Sequence, residues 1–427
     1  MKEAFIQYVW QYQLFAKEDL KIDTGEQVEV ISPGYWNRDA GPDFRQAIVR
    51  INDYIWAGDV EIHVRSSDWY RHKHHLDEKY KMVVLHVVYE HDLSVERQPG
   101  ECFPTLELGS RISSSMYSQY ERLTGALELL PCTDFLSEVS PVVRSSQMAS
   151  MLMERMLRKE QELRSVVAQC KGDWREALYR QMAVSFGMKT NASAFELLAK
   201  SLPYKILYRH SASYLQLQAL LFGQAGMLEV EQGDDFYTQL KAEYDYLHYK
   251  YQLSPIGMHH WNLLRLRPQN FPCIRISQFA SILHAFPDLW EELTHDHSLQ
   301  QWHAKLAVSA DTYWSTHYHF NKTTAVHSVA IGEMAVALLL INTLVPMLFA
   351  YCRFKGEDGR LETVLEMLEL LPFEDNRFTR CFSHTAFSQQ NAADSQALME
   401  LYNFYCKERR CLECAIGDHI VKSSITI

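Results

Sequence analysis

The chain has 427 residues, 47% hydrophobic and 22% charged, which is enough for two or three globular domains. Its net charge of -11 excludes capture of a polyanion by the whole surface, so any contact with nucleic acid must be local. The first residues lead into an amphipathic segment without an apolar signal core, and nine scattered cysteines are typical of reduced thiols. We therefore expect a cytoplasmic protein that is folded nearly throughout.

One segment is nearly long enough to cross a bilayer. Met334 to Cys352 is almost wholly apolar, whereas a spanning helix needs roughly 20 apolar residues. Glu333 and Asn342 interrupt the apolar pattern, Pro346 would kink a helix, and basic flanks are missing on one side. The pattern favours a buried core helix and no contact with a membrane.

The first 112 residues have the pattern of an α/β domain. Aromatic and apolar residues at three- and four-residue spacing predict a first helix from about Glu3 to Ala16. Ile51–Tyr54 is typical of a hairpin turn, and the apolar run Val83–Val88 suits a central strand covered on both faces. Strands are predicted at 27–31, 45–51, 54–64, 82–89 and 105–108.

Long helical periodicities replace the strand pattern from residue 113 onward. The sequence thus predicts an α+β protein, with an N-terminal α/β domain holding a mixed sheet (1–112) and a mostly helical region (113–427). A loop-rich stretch at 255–275 would divide that region into subdomains 113–255 and 256–427. Helices are predicted at 113–130, 141–169, 173–188 and 234–251, and near 276–286, 330–352, 360–370 and 392–407.

The densest functional signal lies in residues 37–44 and 58–63. Glu61 and His63 are two apart on one predicted strand, so they project from the same face. Asp43 comes just before the strand that the hairpin places beside them. Two carboxylates and an imidazole at one end of a sheet can hold a divalent metal, with positions left for water and a phosphate.

A helix, a hairpin, Pro-Asp at a strand start and Glu-x-(Lys) on the next strand together are similar to the PD-(D/E)XK nuclease fold, a restriction-endonuclease-like domain. The resemblance implies that Asp43 and Glu61 bind magnesium or manganese. His63 stands where that family usually has lysine. Because histidine is only partly charged near neutral pH, it can assist the reaction or instead ligate a softer metal such as manganese or zinc.

The segment Ser66–Tyr80 resembles the histidine and aspartate segment after the catalytic strand in very-short-patch repair endonucleases. This resemblance implies that His72, His74 and Asp77 position water or act as general acid and base. The alternative is that the histidine run is a solvated loop and that Asp43 ends a turn. Substrate contacts are expected from Asn37, Arg65, Arg71 and Lys73.

Over nearly its full length the chain also resembles an uncharacterised bacterial family of unknown function, most recognisably at residues 37–44 and 60–75. Our first hypothesis is a divalent-metal-dependent nuclease or phosphodiesterase acting on nucleic acid. The alternative is a nuclease-fold protein without turnover that binds nucleic acid or another protein. The missing lysine and the acidic surface favour this alternative.

A second metal site is suggested at the C-terminal end. Cys406, Cys411 and Cys414 follow an amphipathic helix, and close thiolates can bind zinc or an iron–sulfur cluster. Cys381 or His384 can supply a fourth ligand. The arrangement resembles the cluster loop of helical DNA glycosylases, although a fourth cysteine nearby in the sequence and a Gly-rich hairpin are missing. The alternative is reduced thiols that pack a terminal helix.

Overall fold

The computed structural model describes residues 1–98, 100–230, 232–295 and 298–423. It confirms the predicted α+β class, in which a mixed N-terminal sheet is followed by a mostly helical region. Contacts divide the chain into two compact units. The sheet unit comprises Met1–Gln147, Cys381–Phe387 and Leu401–Ile427, and the helical unit comprises Met148–Arg380 and Ser388–Glu400.

The strands of the sheet unit are β1 Val28–Ser32, β2 Tyr35–Trp36, β3 Phe44–Ile51, β4 Tyr54–Arg65, β5 Val83–Glu90, β6 Glu96–Gln98, β7 Glu101–Cys102 and β8 Thr105–Glu107. The main sheet has the order β1-β3-β4-β5-β8, with β2 beside β3, and β6 pairs with β7 separately. Strands β1, β3 and β4 form an antiparallel meander, whereas β5 is parallel to both β4 and β8. The sheet is therefore mixed, as predicted.

The local sequence explains the centre of this sheet. The predicted hairpin joins β3 to β4, with Ile51 paired to Tyr54 and Asn52 in left-handed backbone (φ 49°), which asparagine tolerates better than most residues. The apolar run of β5 lies between β4 and β8, and its Leu85 and Val87 are fully buried. A continuous apolar run fits a strand with both faces covered.

The α-helices occur in both units and are numbered in chain order. The first helix ends at Gln11 rather than at the predicted Ala16, because Gln13 adopts left-handed backbone (φ 51°) and redirects the chain. The helical unit also holds a strand pair, β9 His317–His319 and β10 Lys322–Thr323. The helices are α1 Glu3–Gln11, α2 Asp68–Arg71, α3 Ser114–Gly125, α4 Pro141–Gln169, α5 Trp174–Phe186, α6 Ala192–Ser201, α7 Tyr204–Arg209, α8 Tyr214–Gln224, α9 Asp235–Tyr251, α10 Pro272–Ala285, α11 Leu289–Thr294, α12 Leu299–Leu306, α13 Glu333–Leu339, α14 Val345–Lys355, α15 Asp358–Leu370, α16 Ala392–Leu401 and α17 Ala415–Ser423.

The apolar segment noted in the sequence forms α13, a π-helical turn at Leu340–Leu344, and α14. Within the described part of the chain, this stretch, Glu333–Lys355, is the one helix long and apolar enough to cross a membrane. Its most apolar 18-residue window is 78% buried inside the structure. Core helices pass the same length and composition test, and this burial agrees with the predicted core helix.

Candidate metal and active site

The predicted acidic pair comes together where β3 begins beside β4. Glu61 and His63 are both buried on β4. The backbone N–H of Asp43 donates to Glu61 Oε2 at 3.1 Å, and Asp43 Oδ2 accepts from the backbone N–H of Ile62 at 3.0 Å. Two hydrogen bonds thus fasten Asp43 to the strand that carries Glu61.

Helix α1 contributes two polar side chains to the same place. Glu3 and Gln7 are four residues apart and therefore lie on one side of the helix. Gln7 Nε2 donates to Asp43 Oδ1 at 2.9 Å, and Glu3 Oε1 lies 4.0 Å from His63 Nε2. Sequence reasoning missed both residues, although polar side chains at this spacing within an otherwise aromatic helix were a usable signal.

Three imidazoles meet near the end of β4. One ring nitrogen from each of His63, His72 and His74 lies within 4.8 Å of the other two, and His63 Nε2 is 3.1 Å from His72 Nδ1. His72 and His74 follow α2, where Lys73 adopts left-handed backbone (φ 62°). This turn lets two histidines separated by one residue both contact His63.

An oxygen donor and a supporting histidine complete the cluster. Glu61 Oε1 lies 3.2 Å from His74 Nε2 and 3.6 Å from His63 Nε2. On the far side of its ring, His63 Nδ1 is 2.8 Å from Nε2 of His86, a fully buried residue of β5. If His63 carries its proton on Nδ1 and donates to His86, its Nε2 lone pair is free to bind an ion. In the sequence, His86 stood out only as part of the apolar run Val83–Val88.

Burial decides the charge states of these groups. It raises the pKa of Glu3 and Asp43 to about 7 and that of Glu61 to about 8, and repulsion among the three carboxylates adds to the shift. Burial also lowers the pKa of His63 and His74, so both imidazoles are neutral at pH 7. A divalent cation would relieve the repulsion and use the free lone pairs, so the donor set fits one.

The chain matches the model of a family described as "Protein of unknown function (DUF2851)" over residues 3–377. It belongs to this family. The match includes the carboxyl and histidine cluster and ends before Cys406. Among curated proteins and among solved structures, none matches the chain. The family description of this DUF2851 protein assigns no chemistry to the site.

In the DUF2851 chain, two of the predicted site residues hydrogen bond to backbone groups close to them in the sequence. Asn37 Nδ2 donates to the carbonyl of Pro42 at 2.8 Å, which closes the loop leading to Asp43. Asp77 Oδ1 accepts from the backbone N–H of Lys79 at 3.0 Å and so caps the short 3-10 turn that follows. These two hydrogen bonds stabilise the loops on either side of the histidines.

The predicted basic residues of the DUF2851 chain lie near the solvent edge of the site. Arg65 pairs with Glu90 at 3.2 Å, Arg71 pairs with Asp68 at 2.9 Å, and Lys73 is exposed. The Arg65–Glu90 pair is exposed on both sides, and such pairs contribute little, typically about 0–1 kcal/mol, so little free energy opposes its opening.

A cavity of about 430 Å³ opens beside the histidines. His74 forms part of its wall and stacks on Tyr80 with ring centroids 3.8 Å apart. Trp69, Phe103 and Arg97 also border the cavity, and Trp69 and Phe103 are 4% and 1% exposed as members of a small hydrophobic core.

Proposed function

We propose that this protein is a divalent-metal-dependent hydrolase that cleaves phosphodiester bonds in nucleic acid. The observation that carries the proposal is the set of nitrogens from His63, His72 and His74 within 4.8 Å, with Glu61 Oε1 3.2 Å and 3.6 Å from two of them. Neutral imidazoles suit zinc and manganese, whereas magnesium prefers oxygen ligands. The expected ion is therefore manganese or zinc rather than magnesium.

The side chains have separable roles in this mechanism. A divalent ion held by the histidines would supply a polarised water as the nucleophile. Glu61 is close enough to His63 and His74 to accept the proton of that water. His86 orients His63, and Asp43 is a positioning residue because both of its carboxylate oxygens accept hydrogen bonds.

Three observations support nucleic acid as the substrate. Helix α1, the β3-β4 hairpin, Asp43 just before β3 and Glu61 on β4 occur in the order of the pattern that resembles PD-(D/E)XK nucleases. Arg71 and Lys73 flank the histidines and can contact phosphates. The aromatic cavity beside His74 can take a base.

The direct test is a cleavage assay. Metal-free protein is incubated with single- and double-stranded DNA and with RNA, after addition of manganese, zinc or magnesium. We expect cleavage with manganese or zinc and a loss of at least roughly 100-fold in His72→Ala, because the variant removes one ligand of the ion. His259→Ala is the control, since His259 is an exposed histidine of the helical unit.

Two outcomes would count against the proposal. Cleavage that persists in His72→Ala and in Asp43→Ala would point to a contaminating nuclease. Tight metal binding without cleavage of any nucleic acid would favour the second hypothesis, a nuclease-fold binding protein. Isothermal titration with manganese and zinc separates loss of metal binding from loss of chemistry.

A further inference from the structure

The start of α10 lies in a part of the helical unit that is poor in negative charge. Residues 246–287 and 312–332 contain no aspartate or glutamate, although the whole chain has 53 such residues and a net charge of -11. The two segments meet where Phe271, the residue before α10, packs on Tyr318 and His319 with ring centroids 4.9 Å and 5.4 Å apart. Both segments therefore bring no negative charge to the start of this helix.

A buried arginine lies in the first turn of α10. Arg275 is 5% exposed, its Nη1 donates to Gln278 Oε1 at 3.0 Å, and its Nη2 donates to Asn270 Oδ1 at 2.8 Å. Both partners are neutral amides, and the buried Nε has no hydrogen-bond partner among the described residues. Burial lowers the pKa of Arg275 from 12.5 to about 10, and no described carboxylate offsets this effect. A buried cation without a counter-charge is costly, which indicates that an anion binds here.

Two kinds of hydrogen-bond donor come together at this helix start. In a planar guanidinium, the Nε–H and one N–H of Nη2 lie on the same edge, which matches two oxygens of an oxyanion. The bond from Nη2 to Asn270 brings the guanidinium beside Phe271, which is the N-cap and provides no side-chain cap. The backbone N–H groups of Cys273 and Ile274 have no partner within the helix and lie at the positive end of its dipole. Such a helix end binds anions.

The buried guanidinium lies near solvent and near two further cations. Asn270, its hydrogen-bond partner, is half-buried. Exposed Arg267 directly precedes the 3-10 turn that ends at Asn270. Lys322, also exposed, is the strand partner of His319, whose ring contacts the N-cap residue. These two cations can attract an anion to the helix start.

We propose that the start of α10 binds a phosphate group, held by the guanidinium of Arg275 and the backbone N–H groups of Cys273 and Ile274. A phosphate oxygen would replace the Asn270 amide on the guanidinium. Phosphate is favoured over a carboxylate because its three outer oxygens can face the arginine and the helix end together, whereas a carboxylate has two. The site lies in the helical unit and does not rest on the proposed hydrolase.

The test is isothermal titration of the metal-free full chain with inorganic phosphate and with glycerol 3-phosphate. We expect about one bound phosphate group per chain. Asn270→Asp places a carboxylate on Arg275 and should weaken phosphate binding by at least roughly 10-fold. The same variant should raise the midpoint of thermal unfolding without phosphate, because the buried cation gains a counter-charge.

Two variants serve as controls. Asn262→Asp makes the same change at an exposed asparagine of the segment before α10, and it should alter neither phosphate affinity nor thermal stability. Arg71→Gln removes a cation beside the histidines and should leave phosphate affinity unchanged. Circular dichroism checks that each variant is folded.

Four results would overturn the assignment. They are folded wild-type protein that binds neither phosphate, acetate that binds as tightly as phosphate, an unchanged phosphate affinity in Asn270→Asp, and loss of phosphate binding in Arg71→Gln. The wild-type titrations decide the first two even if a variant fails to fold. Failure of the nuclease assay leaves these results unaffected, because phosphate binding is measured without metal.

Discussion

Glu61 is held where its charge is unfavourable. The residue is 5% exposed, and burial raises its pKa from 4.5 to about 8. Because the folded-state pKa lies above that of the unfolded chain, the folded protein keeps a proton that the unfolded chain releases. Stability is therefore complete below the unfolded value and is lost as pH rises through the folded value. Without metal, Glu61 thus destabilises the native state at neutral and higher pH.

We predict that Glu61→Gln stabilises the metal-free protein while abolishing cleavage. We expect a gain of about 1–3 kcal/mol near pH 8.5 and none near pH 4, since glutamine has no proton to lose. Hydrogen exchange of the β4 amides measures the local free energy of opening. Glu18→Gln, at an exposed position, is the control. An equal gain in stability for Glu61→Gln at both pH values would show that titration of Glu61 is not the cause.

His86 acts on the site through His63. Its Nε2 lies 2.8 Å from His63 Nδ1, and partners of this kind fix the tautomer and orientation of a metal-ligating histidine. We predict that His86→Phe lowers manganese and zinc affinity by roughly 10–100-fold. His86→Gln, whose amide oxygen can accept the same hydrogen bond, should recover part of the loss. Isothermal titration measures the metal affinity of both variants. An unchanged affinity in His86→Phe would exclude a role of His86 in orienting His63.

At the level of elements, strands were easier to predict than short helices. Strands β3 and β4 begin and end within a residue of their predictions, because β-branched residues and a two-residue turn mark them clearly. Helix α8 had no individual prediction, since its residues from Leu217 to Gln224 are all buried and show no helical periodicity. Local sequence patterns likewise could not predict that His72 and His74 both contact His63, because this arrangement depends on the left-handed backbone of Lys73.

The loop after α2 offers a test of that backbone. Lys73 has φ 62°, a conformation that glycine adopts readily and β-branched residues strongly resist. Lys73→Val and Lys73→Gly remove the same charge, so they differ in backbone preference. We predict that Lys73→Val costs about 1–3 kcal/mol and weakens metal binding, whereas Lys73→Gly preserves it. Similar affinities in titrations of the two variants would show that the turn does not position the histidines.

At the level of the whole molecule, the sheet unit is assembled from both ends of the chain. Segments Cys381–Phe387 and Leu401–Ile427 belong with Met1–Gln147. Asp43, Glu61 and His63 could be grouped from the sequence because a hairpin and strand alternation join them. The membership of residues 381–387 and 401–427 in this unit could not be predicted, because no local pattern joins them to residues 1–147.

The acidic surface sets a limit on how this protein can hold nucleic acid. With a net charge of -11, attraction must come from the few basic side chains at the site, Arg65, Arg71 and Lys73. Neutralising about three phosphates predicts a slope of roughly -2 to -3 for the logarithm of the binding constant against that of salt concentration. Fluorescence anisotropy with a labelled oligonucleotide and His63→Ala protein, which binds without cleaving, measures this slope. Lys73→Gln should reduce its magnitude by about 1 and the exposed Lys17→Gln should not, whereas a slope of roughly -6 or steeper would require a basic surface elsewhere.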